Sequence, residues 1–123
     1  MGVTTKVDIE QGLVIKVASG AFTADDVMGS RLQMLGDPAY RPEMNILWDM
    51  REASPERLTS ESLRALVERI RSTASGPWTK AALVVSKDAM FGTSRMFQSM
   101  AQDSIYKIMV FREMDEALRW LKS

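Results

Sequence analysis

Residues 80–100, KAALVVSKDAMFGTSRMFQSM, decide the architecture. Ala81 to Val85 form a continuous apolar run without alternation, as expected of a strand covered on both faces of a parallel sheet. The period then changes. Met96, Phe97, Met100 and Ala101 recur at helical spacing, which predicts a helix that Gly92, Thr93 and Ser94 precede. This strand-then-helix unit has two counterparts. NILWDM (45–50) leads into a helix from about Ser60 to Ala74, with Leu63, Leu66, Val67, Ile70 and Ala74 on one face. YKIMVF (106–111) leads into REMDEALRWLKS (112–123), and Ile108 to Phe111 again reads as a strand buried on both faces. Units of this kind in series imply parallel strands.

Upstream the rhythm is different. In TTKVDIE, Thr5, Val7 and Ile9 alternate with Thr4, Lys6, Asp8 and Glu10, so this is a half-buried strand. Gln11-Gly12 reads as a two-residue turn into LVIKVAS, where Leu13, Ile15 and Val17 continue the alternation and complete an antiparallel hairpin. Thr23 is the expected N-cap of a helix with Asp25 and Asp26 in its first turn and Val27, Met28, Leu32 and Leu35 inward. Gly36-Asp37-Pro38 ends it. The predicted fold is α/β, in the order ββαβαβαβα, with a mixed five-stranded sheet and four helices. Residues 1–123 form a single domain, with no linker, charge run or sequence repeat to divide them.

Composition removes several function classes. Lys plus Arg number 16 and Asp plus Glu number 16, so no net field favours nucleic acid or an anionic membrane. Cysteine and histidine are both absent. Without them there is no thiol nucleophile, no imidazole base, and no soft or nitrogen ligand for a transition metal. No metal and no cofactor are expected. No segment approaches the roughly 20 apolar residues of a membrane span and the N-terminus has no signal-peptide run, so a soluble, cytoplasmic protein without membrane insertion is expected.

Three stretches, NILWDMRE (45–52), KAALVVSKDAMFGTSRMFQSM (80–100) and VFREMDEALRWLKS (110–123), together resemble the SpoIIAA-like proteins. These are relatives of the STAS domains of anti-sigma-factor antagonists and sulfate transporters. The resemblance implies the same ββαβαβαβα sandwich, a fold similar also to the CRAL-TRIO lipid carriers, in a family whose members are mostly uncharacterised. One departure bears on function. The antagonists carry an Asp-Ser-x-Gly step with a phosphorylatable serine, whereas DMREASPERLTS (49–60) offers Asp49, Ser54 and Ser60 without that glycine.

In open α/β sheets ligands settle beyond the carboxyl ends of the strands. Those ends carry Asp49, Met50 and Arg51, then Ser86 and Lys87, then Phe111 and Arg112. Gly92, Thr93 and Ser94 admit two readings: an N-cap and its turn, or an anion cradle completed by Arg95 and Lys87. Asp49 is either part of that rim or an ion-pair partner of Arg51 or Arg95, which would depress its pKa. Ten methionines are core filler or the walls of a deformable pocket. In the second reading Met90, Phe91, Met96 and Phe97, with Met50, enclose an acyl chain whose acidic head Arg95 holds. Trp48 is expected in the core. Trp78, after Gly76-Pro77, and Trp120 are candidate interface residues for a protein partner or a homodimer.

The function expected from these residues is non-catalytic binding of a small hydrophobic or anionic molecule. Its ligand-binding residues are Asp49, Arg51, Lys87, Phe91, Gly92, Thr93, Ser94 and Arg95. The alternative is a STAS-type regulatory domain that binds another protein.

Overall fold

The computed structural model describes residues 2–74, 78–102 and 106–123; Gly76 and Pro77, ahead of Trp78, lie outside the described residues. In chain order the elements are β1 (Gly2–Asp8), β2 (Leu13–Ala21), α1 (Ala24–Leu35), β3 (Asn45–Ser54), α2 (Ser60–Ser72), β4 (Thr79–Val85), α3 (Asp88–Met100), β5 (Tyr106–Phe111) and α4 (Met114–Leu121). They form a five-stranded sheet in the order β1-β2-β3-β4-β5. β1 and β2 are antiparallel, and the other neighbours are parallel. The mixed sheet and four helices expected from the sequence are therefore present.

Strand order places the helices. Each parallel connection steps one strand further in the same direction, and crossovers of a common, right-handed sense then lay their helices on the same face. Accordingly α1, α2 and α3 pack with Val14, Ile46, Met50, Ala81 and Leu83 in two adjoining clusters. The opposite face has α4 alone, whose Ala117 and Leu121 cover Leu13, Leu47, Ala82 and Val84.

The hairpin differs from its expected form. Its turn spans Ile9–Gly12: the Gly12 amide donates to the Ile9 carbonyl (3.2 Å), and Gln11 donates from its backbone and side chain to Asp8 (3.2 and 2.8 Å). Gly12 has φ +66°, a left-handed conformation that favours glycine. Asp8 then faces Leu13 across the ladder, and Ile9, expected on the inner face, is 68% exposed in the turn. The inner face of β2 is also the other one. Val14, Lys16 and Ala18 point toward the three-helix layer, while Val17, expected inward, is exposed.

Helix α1 begins as expected, with Thr23 and Asp26 forming a reciprocal capping box (3.1 and 2.9 Å). Its buried face is unexpected. Met28, Ser30, Arg31 and Met34 point inward, whereas Leu32 (54% exposed) and Leu35 point to solvent. The pattern 28-31-34 is as helical as 28-32-35, and the inner face of β2 supplies a polar partner, Lys16, for the polar stripe. Helix α2 buries Leu63, Leu66, Val67 and Ile70 and ends at Ser72, leaving Ala74 beyond it. β4 is interior and almost entirely buried, but β5 is an edge strand with Met109 exposed, so both-face burial holds for only one of the two apolar runs. Among the described residues no helix is long and apolar enough to cross a membrane.

The orientation of α1 is directly testable. Met34→Ala, which truncates a fully buried side chain, is expected to lower stability by about 2–5 kcal/mol in urea denaturation. Leu32→Ala is expected to change it by less than about 0.5 kcal/mol. Reversed magnitudes would place the helix on its other face.

Candidate functional site

Between the sheet and the three-helix layer lies a cavity of about 90 Å³. Its walls are apolar side chains of β3, β4, α2 and α3, among them Trp48, Met50, Met90 and Phe97. Five polar residues line it: Lys16, Arg31, Thr93, Ser94 and Tyr106. Among the described residues, no Asp or Glu lines it.

Lys16 is placed by the ladder. Its backbone sits between Thr5 on β1 and Trp48 on β3, so its side chain rises beside the Trp48 ring, with Nζ 5.3 Å from the ring centroid. Lys16 is only 2% exposed. Nζ donates to Ser30 Oγ (3.0 Å), and Ser30 Oγ donates to the Val27 carbonyl (2.8 Å). The hydroxyl proton is thus committed within α1, and Ser30 serves Lys16 as a neutral acceptor. Burial, and secondarily the charge of Arg31, push the Lys16 pKa down to about 7.

Arg31, 5% exposed, is held more firmly. Nε donates to Thr73 Oγ1 (2.8 Å) and Nη1 to Tyr106 Oη (2.7 Å), with the Arg31 guanidinium 5.6 Å from the Tyr106 ring centroid. These partners orient the guanidinium without neutralising it. Ser94 is 2% exposed, and its Oγ has no hydrogen-bond partner among the described residues. Thr5 Oγ1, opposite Lys16 on β1, has none either.

The residues expected to bind ligand divide into three groups. Thr93 and Ser94 line the cavity. They do so from inside α3, because the helix begins at Asp88 and not after Ser94. Gly92 therefore offers no free amide cradle at a helix start; it is exposed, and a Cβ there would meet nothing within 4 Å. Lys87 is the N-cap residue and makes no side-chain cap. Phe91 and Arg95 meet outside the cavity, where the ring of Phe91 has two guanidinium neighbours, Arg112 (4.4 Å from ring centroid to Cζ) and Arg95 (5.8 Å). Arg112 also binds Asp88 and the Ser86 carbonyl. Asp49 and Arg51 form a two-pronged ion pair, with both contacts at 2.9 Å. Asp49 shares the parity of Leu47 and so faces the α4 side, across the sheet from the cavity. Hydrogen bonding to Arg51 holds the Asp49 carboxyl below its ordinary value, as expected for an ion-paired carboxylate.

The cavity cations, Lys16 and Arg31, were not singled out in the sequence. Lys16 occupies an ordinary polar slot once Leu13, Ile15 and Val17 are read as the inner face, and Arg31 looks solvated once Leu32 and Leu35 are read inward. A visible signal was the apolar triplet Met28, Val27 and Met34 flanking Arg31. Of the pocket-wall residues expected, Met50, Met90 and Phe97 line the cavity, Met96 packs against the adjoining core, and Phe91 does not line it. Trp48 is half-buried against the core, Trp78 is 64% exposed, and Trp120 packs on Phe111 and under Lys80.

The chain aligns with the crystal structure of an uncharacterised protein of the DUF3478 family from Shewanella loihica PV-4, described as having a SpoIIAA-like fold. The TM-score is 0.64 at 17% identity, over 98% of this chain and 94% of that one. The fold of this protein is SpoIIAA-like. At that identity the likeness extends to architecture and no further. No protein-family model matches the chain, and no curated protein sequence matches it significantly.

Two predictions follow from this geometry. The folded-state pKa of Lys16 lies below its unfolded value of 10.5, so the folded chain holds the proton less tightly and stability is lowest below pH 7. It rises with pH across the window from about 7 to 10.5. Arg31 is the charged group acting on Lys16, and no carboxylate among the described residues opposes it. Lys16→Met is therefore expected to be more stable than the parent at pH 6, by an amount on the order of 5 kcal/mol less about 1 for the lost Ser30 hydrogen bond. The advantage should vanish near the upper end of the window; a difference independent of pH would contradict the assignment. Separately, Gly92→Ala should raise stability by about 0.5–1 kcal/mol, as in any exposed mid-helix position. A loss would mean that this glycine serves a backbone need.

Proposed function

We propose that the chain is a non-catalytic binding domain for a small amphipathic anion, with the apolar part of the ligand in the cavity and its anionic head between Lys16 and Arg31. The observation that carries this reading is two buried cations in one apolar cavity, with no carboxylate among the described residues of its walls. An isolated buried charge is strongly disfavoured unless it is compensated, and an anionic ligand would supply the missing charge. The unpartnered Ser94 hydroxyl adds a donor beside them. Volume restricts the ligand. An apolar cavity of about 150 Å³ holds one benzene, so about 90 Å³ suits a short chain of roughly four carbons, with longer ones requiring Met50 and Met90 to yield.

Butanoate and 1-butanol, matched in length, separate the head from the tail. In an NMR titration of the full chain, butanoate is expected to shift the resonances of the cavity walls at concentrations where 1-butanol does not. Arg31→Met should weaken butanoate by about 1.5–3 kcal/mol, the range for a hydrogen bond to a charged group. Arg95→Met, on the outer surface, should leave affinity unchanged. Equal binding of acid and alcohol, or a loss confined to Arg95→Met, would refute the proposal.

A further inference from the structure

We propose that Lys16 is a nucleophilic amine that captures a short 2-oxo carboxylate as a Schiff base, with Arg31 holding the carboxylate and Ser94 facing the carbonyl oxygen. This rests on the anion-binding reading above and specifies the ligand class. Three features of the cavity point to a carbonyl in addition to a carboxylate.

The first is the environment of the amine. A lysine that serves only as a counter-ion is normally paired with carboxylates or left in water. Among the described residues Lys16 has neither: its Nζ donates to the neutral Ser30 hydroxyl, its ring neighbour is Trp48, and its charged neighbour is another cation, Arg31. An apolar pocket with a second cation nearby is a known way of keeping a lysine amine uncharged and reactive. Burial and the Arg31 charge lower its pKa to about 7, so at neutral pH the free amine is far more populated than in an exposed lysine. For an ordinary lysine the fraction is on the order of one in a thousand or less. The second feature is the division of labour between the cations. Arg31 is fixed by Thr73 and Tyr106 and stays charged, so it suits the permanent negative charge of a carboxylate. Lys16, held through Ser30, is left for the adjoining carbon. The third is Ser94, a buried hydroxyl without a partner on the α3 wall of the same cavity, which can donate to a carbonyl oxygen.

The step balances without a co-reactant. The Nζ lone pair attacks the carbonyl carbon, and the C=O π pair moves to oxygen. That oxygen takes up a proton as nitrogen loses one, giving a carbinolamine. Nitrogen then expels the hydroxyl as water, forming the C=N bond. The sum is amine plus ketone giving imine plus water, reversible and without redox change. A 2-oxo acid of three or four carbons is also what a cavity of about 90 Å³ admits.

Pyruvate is the probe and sodium cyanoborohydride the trap, applied to the full chain near neutral pH, with intact-mass measurement and peptide mapping as readout. The expected result is one N-(1-carboxyethyl) group per chain, mapped to Lys16 and formed at least about tenfold faster than at the exposed Lys6, Lys87, Lys107 and Lys122, following the larger free-amine fraction. Excess butanoate should slow it. Lys16→Arg should abolish the adduct, and Lys16→Met serves as a second nucleophile-free variant should the bulkier arginine unfold the chain. Labelling confined to exposed lysines, or undiminished in both variants, overturns the Schiff base. Butanoate binding to the unaltered chain is measured alongside. Binding without an adduct removes the covalent step and leaves the anion site standing, whereas loss of both removes both.

Discussion

The structure depends on one constraint, the common hand of its parallel crossovers. Because β2, β3, β4 and β5 are neighbours in sequence order, each connection advances in the same direction and its helix falls on the same side. Three helices crowd one face, and only the eight-residue α4 is left for the other. A three-helix layer over a twisted sheet meets it imperfectly, and the cavity sits where α2 and α3 approach β3 and β4. The crossover rule thus determines both where the core is thick and where a pocket can open.

That layer also explains the inversion of α1. Lying over the β1–β2 hairpin, α1 presents Ser30 and Arg31 to a strand that presents Lys16. Polar groups on two facing elements can be buried only together, since either alone would lose its hydrogen bonds to water. Ser30 accepts from Lys16, and Arg31 finds Thr73 and Tyr106 beyond it. The consequence is that Leu32 and Leu35 are left in solvent, an arrangement that hydrophobic burial alone would not select.

How much of this is legible in the sequence follows from what each signal measures. The element order, the antiparallel hairpin, the capping residue Thr23 and the buried β4 run depend on local pattern, and each is present in the structure. The inward face of β2 does not, because LVIKVAS alternates equally well in either register and a one-residue choice turns every side chain over. Reading Val17 inward hid Lys16; reading Leu32 inward hid Arg31. The start of α3 was obscured by Gly92, which looks like a boundary but is a tolerated mid-helix residue. Of the residues expected to converge at the strand ends, Arg95 and Arg112 meet over Phe91, whereas Asp49 and Arg51 pair on the opposite face. Sheet parity, not sequence distance, separates them.

Stability gives little reason for Lys16 to be where it is. A methionine of similar length would fill the same volume beside Trp48 without desolvating a charge, and replacing buried ionic groups with apolar ones is often neutral or stabilising. The chain has methionines in the same layer already, at positions 28, 34, 50 and 90. Four carboxylates are meanwhile engaged elsewhere: Asp49 with Arg51, Asp25 with Arg69, Glu68 with Arg71 and Asp88 with Arg112, each pair on the surface or the far face. Acidic side chains thus meet these four arginines, and among the described residues none lines the cavity that holds Lys16 and Arg31. An energetic burden of this kind, carried beside a buried hydroxyl left unpaired, is the pattern by which perturbed groups mark functional sites. Within the SpoIIAA-like frame it arises beneath α1, where the parity of β2 and the turn of the helix bring Lys16 and Arg31 to one cavity.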